Sequence, residues 1–323
     1  MLSRRRAKGA SAMIRIVPAC VFPGQGSQSV GMLSAWRGER VFVETIDEAS
    51  DVLDLDLWHL SQHADPAELA RTVNTQPLVV AASIAIYRTW QAQSPVAVPW
   101  AIGHSVGEIS ALVAAGALAL PDALHIARQR ALAMMAAVAP GIGGMAAVIG
   151  LDDPTVERLC SACAGDGVLE PVNFNAPGQV VVAGHVPAIE RLKVAAREAG
   201  AKMVFVLPVS GPFHSSLMQP AAAALARCLD DIRIAAPSLR VLHGNSLEVA
   251  TEASIKPALV AQLTAPVRWT AMVRHLEADG VTHIVESGPG EVLTNLCRRV
   301  APALSVLPLH LPQGMEAAVL ALS

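Results

Sequence analysis

Two short segments of this chain carry residue types that could do nucleophilic chemistry. The first is Gly103-His104-Ser105-Val106-Gly107, a G-x-S-x-G pattern. Between a strand and a helix, this pattern turns the chain sharply enough to lift the serine hydroxyl out of the sheet's end. The hydroxyl then faces the N-terminus of the following helix. The same five residues also suit an ordinary strand-to-helix turn, so Ser105 is a candidate nucleophile. The second segment, Pro212-Phe213-His214-Ser215, stands between an apolar run and a helical one. His214 is either the base such a serine needs or a structural histidine. A hydrolase triad would add an acid in the order Ser, acid, His. Acidic residues lie between Ser105 and His214, but none in a distinctive strand-end motif.

Three further features have a functional and a plain reading. Pro23-Gly24-Gln25-Gly26 resembles a phosphate-cradling turn, yet Ser29 breaks G-x-G-x-x-G and no P-loop lysine follows. Its other use is as a turn whose backbone N–H groups face a reacting oxygen, completing an oxyanion hole with the N–H that follows the nucleophile. Arg130 lies mid-helix among Ala, Leu, Ile and Met. It either spreads its stem over apolar neighbours or offers a fork to a substrate carboxylate. Cys160 and Cys163 form a CxxC within a helical stretch and read as two thiols one turn apart. No second CxxC completes a metal site, and no metal is expected.

The elements that must position these residues follow from apolar patterning. Ile14 to Phe22 reads as a strand buried on both faces, and Val98 to Ile102 as a short strand entering the serine pattern. Helices are expected over Val41 to Leu53, Thr75 to Gln93 with Pro77 in its first turn, Ile109 to Ala115, and from Pro121 to about Val138. The character changes at Gly141. Strands at Met145 to Gly150, Gln179 to Gly184 and Lys202 to Val209 alternate with helices at Asp153 to Ala164 and Val186 to Gly200. That run suggests a small α+β unit of split βαβ type. Beyond it the first pattern returns: helices over Ser215 to Leu229, Ile255 to Leu263 and Trp269 to Ala278, strands over Val241 to Asn245 and His283 to Ser287. Gly288-Pro289-Gly290 then precedes a last helix, Val292 to Val300.

Composition sets the limits. Of 323 residues, 53% are apolar, 16% charged and 3% aromatic, so a large core must be built from Ala, Val, Leu and Ile. This suits helices on a buried sheet and excludes disordered, collagen-like and disulfide-stapled classes. A formal charge of -3 argues against nucleic-acid binding, and no apolar run approaches a membrane span of roughly 18 to 20 residues. Five dispersed cysteines suit a reducing compartment, and a cytoplasmic monomer is expected. Residues 1–12, with Arg4, Arg5, Arg6 and Lys8, read as a disordered tail ahead of Met13.

Taken together, VFPGQGSQSVGM, TQPLVVAASIAIYRTW, GHSVGEISALVAAGAL, VNFNAPGQVVVAGH, LPVSGPFHSSLM, QLTAPVRW and ESGPGEVLTNL resemble the malonyl-CoA:acyl-carrier-protein transacylase family. The similarity runs from about Val21 to Arg299. It implies an α/β-hydrolase-like large domain over 13–139 and 210–323, carrying a ferredoxin-like small subdomain over 140–209. It also implies Ser105 as the acylated nucleophile, His214 as its base, and the N–H groups of Gln25 and Val106 as the oxyanion hole. Arg130, with Met134 in the family's R-x-x-x-M pattern, would hold the malonyl carboxylate. Gln262 would orient the histidine through its backbone carbonyl, in a site that works without an ionised third member. The sequence departs from the family at His243-Gly244-Asn245-Ser246, where a paired-Asn segment is usual. Asn245 is assigned one of its contacts beside His214. Gly211 stands at a position that shapes the acyl pocket, where it would permit an extender unit bulkier than malonyl.

The implied activity is malonyl transfer from CoA to the phosphopantetheine thiol of an acyl carrier protein, for fatty-acid or polyketide synthesis. CoA enters as substrate and no bound cofactor is implied. The competing activity is a serine acyl hydrolase or thioesterase using the same pair with water. Arg130 and the lack of a clear acid speak against it.

Overall fold

The computed structural model describes residues 15–94 and 96–323. The predicted tail over 1–12 lies outside the described residues. The chain enters the interior through β1 (Pro18–Phe22), whose five residues are all buried, as a strand covered on both faces must be. Helices α1 (Arg40–Leu53), α2 (Leu57–His63) and α3 (Pro66–Leu69) follow. They lead into α4 (Thr72–Gln93), which is buried almost throughout and explains its all-round apolar sequence. This helix begins a turn earlier than the sequence predicts, so Pro77 lies in its second turn rather than its first. The ring removes only the bond to the carbonyl four residues back.

The serine pattern connects β2 (Trp100–Gly103) to α5 (Gly107–Ala114), and α6 (Leu120–Ala136) follows. A second sheet then forms from β3 (Gly143–Ile149), α7 (Asp153–Cys163), β4 (Leu169–Ala176), β5 (Gln179–His185), α8 (Val186–Glu198) and β6 (Met203–Val206). Its order is β4-β5-β3-β6 and every pairing is antiparallel. Sequence patterning misses β4 because Pro171, Asn173 and Asn175 disguise it. The strand tolerates them because it lies at the sheet's edge and carries two register shifts, between Pro171 and Asn173 and between Phe174 and Ala176. Cys160 and Cys163 are buried thiols in α7, packed into this sheet's own core.

The chain then returns through α9 (Gln219–Leu229), β7 (Arg240–Leu242), α10 (Glu252–Ala261), α11 (Trp269–Ala278), β8 (His283–Glu286), α12 (Val292–Val300), β9 (Ser305–Pro308) and α13 (Pro312–Leu322). The first sheet is thus β7-β2-β1-β8-β9, parallel throughout. The whole is a mixed α/β fold. On its outer side β4 bridges to the segment before α11: Phe174 N–H donates to the Val267 carbonyl at 3.0 Å and Val267 N–H to the Val172 carbonyl at 2.8 Å. Among the described residues, no helix is long and apolar enough to cross a membrane.

Candidate active site

The turn after β2 is held by close packing. A Cβ on Gly103 would stand 2.0 Å from the Gly107 carbonyl carbon, and one on Gly107 would stand 2.1 Å from the Phe22 carbonyl oxygen. Glycine at both positions lets the chain reverse after β2, so that the start of α5 packs against the ends of β2 and β1. Ser105, at the apex, is pushed to φ +54°, a left-handed conformation that a serine adopts at a cost of order 1–3 kcal/mol.

His214 is brought to this apex from 109 residues away and is itself at φ +65°. Its Nε2 stands 2.7 Å from Ser105 Oγ, and its Nδ1 stands 2.8 Å from the Gln262 backbone oxygen. A carbonyl can only accept, so Nδ1 carries the proton and donates it. Nε2 is therefore the free acceptor for the serine hydroxyl. Burial, then the positive charge of Arg130, push His214 down to about 3, against the opposing pull of the Gln262 carbonyl. The imidazole is neutral at physiological pH, as a base must be before it takes a proton.

Arg130 is 2% exposed, which excludes the surface-stem reading. Its Nη1 donates to Gln76 Oε1 at 2.7 Å, and its Nη2 donates to Gln262 Oε1 at 2.9 Å and Ser105 Oγ at 3.2 Å. Burial lowers its pKa to about 10, partly offset by Glu108, and the guanidinium stays charged. One end of this cation thus faces the nucleophile. Gln25 and Val106 line the same cavity, and among the described residues neither backbone N–H has an intramolecular acceptor. The Gln25 side chain is anchored by Thr72 Oγ1, which donates to its Oε1 at 3.1 Å.

The cavity, of ≈ 160 Å³, has polar groups on one side and an apolar wall of Met134, Met145, Val181, Leu207, Val209 and Phe213 on the other. Asn173 and Asn175, re-aimed by the irregularities of β4, complete it, and Asn175 Oδ1 lies 2.9 Å from Nε2 of His104. Gly211 is not on this wall. A Cβ there would meet the Phe213 ring at 3.2 Å, so its influence on the pocket passes through Phe213.

The model of the acyl transferase domain family matches residues 19–305. The chain belongs to that family. It is 46% identical over 303 residues to the malonyl CoA-acyl carrier protein transacylase of Escherichia coli K12, covering 93% of this chain and 98% of that protein. A protein of the same name from Bacillus subtilis 168 is 38% identical over 309 residues, 93% of this chain and 96% of its own length. Among solved structures, the acyl-carrier-protein S-malonyltransferase of Burkholderia pseudomallei 1710b superposes with a TM-score of 0.92 at 46% identity, covering 94% and 99% of the two chains. A malonyl-transacylase in complex with a type II PKS acyl-carrier protein gives 0.92 at 42% identity, with coverage of 94% and 99%.

Within this acyltransferase, one predicted residue falls outside the site. Asn245 turns back on its own loop, where its Oδ1 accepts from Ser246 N–H at 3.0 Å, and it does not reach His214. The chain leaves β7 with His243 pointing inward, so two residues later the backbone has already turned outward. Three site residues escape sequence reasoning: Gln76, Glu108 and His243. Glu108 reads as an ordinary acid complementing a helix N-terminus. Its burial at 0% exposure, with Nε2 of Gln262 donating to its Oε2 at 2.7 Å, emerges only from the fold.

Proposed function

We infer that this protein moves a malonyl group from CoA to the phosphopantetheine thiol of an acyl carrier protein, supplying chain-elongation units for fatty-acid or polyketide synthesis. The observation that carries this reading is the buried Arg130 guanidinium 3.2 Å from a serine that a neutral histidine contacts at 2.7 Å. Ser105 Oγ gives its proton to His214 Nε2 and attacks the thioester carbonyl. The oxyanion that develops is received by the N–H groups of Gln25 and Val106. Collapse breaks the C–S bond, and the proton on His214 leaves with the CoA sulfur. The carrier thiol then gives its proton to the same nitrogen and attacks the seryl ester, and Ser105 departs as the alcohol.

Arg130 holds the free malonyl carboxylate. That anion also cancels the charge that depresses His214, so the correct substrate strengthens the base that activates the serine. The Gln262 carbonyl, which accepts from Nδ1, takes the place of a triad acid in orienting the imidazole. Residues 13–139 and 210–323 are read as the α/β-hydrolase-like domain and 140–209 as a ferredoxin-like subdomain. The βαββαβ sequence and β4-β5-β3-β6 order of the second sheet support this division. Five cysteines dispersed in the fold and paired in no disulfide suit a cytoplasmic setting.

Intact-protein mass measurement after incubation with malonyl-CoA tests the reading. The wild type gains one malonyl group and loses it to added carrier protein, whereas Ser105→Ala gains none. An adduct on Ser105→Ala would assign the nucleophile elsewhere. Release of free malonate in preference to malonyl-carrier would make the protein a hydrolase.

A further inference from the structure

Two buried ionisable side chains beside the site take no part in the transfer steps. Glu108 is 0% and His243 1% exposed. His243 Nδ1 donates to Glu108 Oε1 at 2.7 Å. Glu108 Oε2 accepts from Gln262 Nε2 at 2.7 Å and from the Gly244 N–H at 3.3 Å. The other ring nitrogen of His243 meets Ser254 Oγ at 3.0 Å, and Ser254 belongs to the Thr251–Ser254 capping box that starts α10. Gln262 follows directly at the end of that helix. Both ends of α10 are therefore tied to one buried carboxylate.

Gln262 has every polar group committed. Its Nε2 donates to Glu108 and to the Ser105 carbonyl at 3.2 Å, its Oε1 accepts from Arg130, and its backbone oxygen accepts from His214. A side-chain amide can be turned over with little change of shape. Turned over here, it would set an NH₂ group against the guanidinium, donor against donor. What prevents this is an acceptor-only group on the opposite side.

We propose that the Glu108–His243 pair is a positioning device for the transfer reaction. It holds the Gln262 amide with its oxygen toward Arg130, and through Gln262 it aligns the carboxylate clamp. This rests on the reading of Arg130 as the malonyl-binding group. His243 supplies the donor that keeps one carboxylate oxygen satisfied, which leaves the other for Gln262. A deep burial site for a carboxylate requires such partners. Asparagine at position 243 would present its amide nitrogen about where Nδ1 stands, whereas leucine would present none.

The test compares Glu108→Gln, His243→Leu and His243→Asn with the wild type. Steady-state rates are measured with malonyl-CoA, and the ratio of malonyl- to acetyl-serine formed in competition is read by intact mass. Rates are normalised to the amount of folded protein. Glu108→Gln and His243→Leu are expected to raise KM for malonyl-CoA about tenfold, with a smaller change in kcat, and to lower the malonyl-to-acetyl ratio by a similar factor. His243→Asn should recover most of both. Unchanged KM and ratio alongside a lowered Tm would overturn the proposal and leave a merely structural pair. So would equal impairment in the Asn and Leu variants. If His243→Leu does not fold, Glu108→Gln decides on the same two readouts, because it preserves volume. Failure of the wild type to form malonyl-serine would instead defeat the reading of Ser105 and Arg130.

Discussion

Arg130 makes the site selective because its charge is buried before any substrate arrives. Among the described residues, a guanidinium at 2% exposure bonds directly only to the neutral oxygens of Gln76, Gln262 and Ser105. Glu108 partly offsets its burial without touching it, so the guanidinium has no directly bonded anion there. A malonyl carboxylate supplies that anion and an acetyl group does not. Arg130→Ala should therefore lower kcat/KM for malonyl-CoA by about 2–5 kcal/mol, roughly a factor of 30 to a few thousand. Acetyl-CoA should be used as well as before or better, since the same change removes a charge that depresses His214. Equal losses with both substrates would sink the clamp. His214 also carries a signature in stability. Its folded pKa of about 3 lies below the ordinary 6.5, so between these values the unfolded chain binds the extra proton. The contribution is complete above pH 6.5 and is lost as pH falls toward 3. Burial raises Glu286 to about 7, which gives the opposite sign, stability lost as pH rises from 4.5 to 7. The two partly cancel in the wild type. The difference in urea-melt stability between wild type and His214→Asn should isolate the histidine and shrink from pH 7 to pH 4. A gap independent of pH would mean that His214 is not held neutral.

At the scale of elements, the decisive structure is the β2–α5 turn. The carbonyl of Phe22 on β1 occupies the space a Gly107 side chain would need. Main chain on both sides leaves nothing to rotate away, so Gly107→Ala should cost about 3 kcal/mol or more. A Cβ on Gly38 meets nothing within 4 Å, so Gly38→Ala should stay within about 0.5 kcal/mol of wild type. Chemical denaturation of the pair checks this, and equal stabilities would mean that the turn is not locked. A comparable device sits at the other side of β1. The Glu286 carboxyl at the end of β8 accepts from Leu293 N–H at 3.0 Å and Thr294 N–H at 2.7 Å, capping α12 from a distance. The intervening Gly288-Pro289-Gly290 turn packs on Pro23 and Ser27, which flank the loop that carries Gln25.

The whole molecule places the pocket between its two sheets. The parallel sheet supplies Ser105 at the end of β2, and the antiparallel sheet supplies Met145, Val181 and the two asparagines of β4 as the opposite wall. Strand β6 runs outward from Leu207 on this wall to exposed Lys202, five residues or about 17 Å away. Four basic residues, Arg128, Lys202, Arg298 and Arg299, are candidates to receive an acidic carrier protein. Arg128 donates to the Leu53 carbonyl at 2.8 Å, Arg298 to the Val306 carbonyl at 3.4 Å, and Arg299 to Gln179 and to the Pro177 carbonyl. Lys202 makes no side-chain hydrogen bond among the described residues. With a net charge of -3, attraction must come from a local patch. Lys202→Glu should raise KM for the carrier severalfold and leave malonyl-serine formation from malonyl-CoA unchanged, and the difference should fade as salt rises. A carrier KM insensitive to both would exclude electrostatic docking at this edge.

By itself the sequence determined whatever depends on near neighbours. The G-x-S-x-G spacing marks the turn because its clashes are local, and apolar runs locate β1, β2 and most helices because burial leaves a periodic trace. Resemblance to the transacylase family, carried by motifs in the family's order, implied a common site for Ser105, His214, Gln25, Val106, Arg130 and Gln262. Tertiary structure decided what each of these touches. It turned Asn245 away from the histidine, put His243 in the interior, and made Glu108 a buried acceptor for Gln262. It also admitted β4 as a strand despite Pro171, since an edge position forgives a missing donor. The Glu108 contacts join segments 135 and 154 residues apart, and β4 is recognised only from its pairing with β5 and Val267. There, shape and hydrogen-bond capacity must match across the fold, and composition or spacing along the chain carries no record of that match.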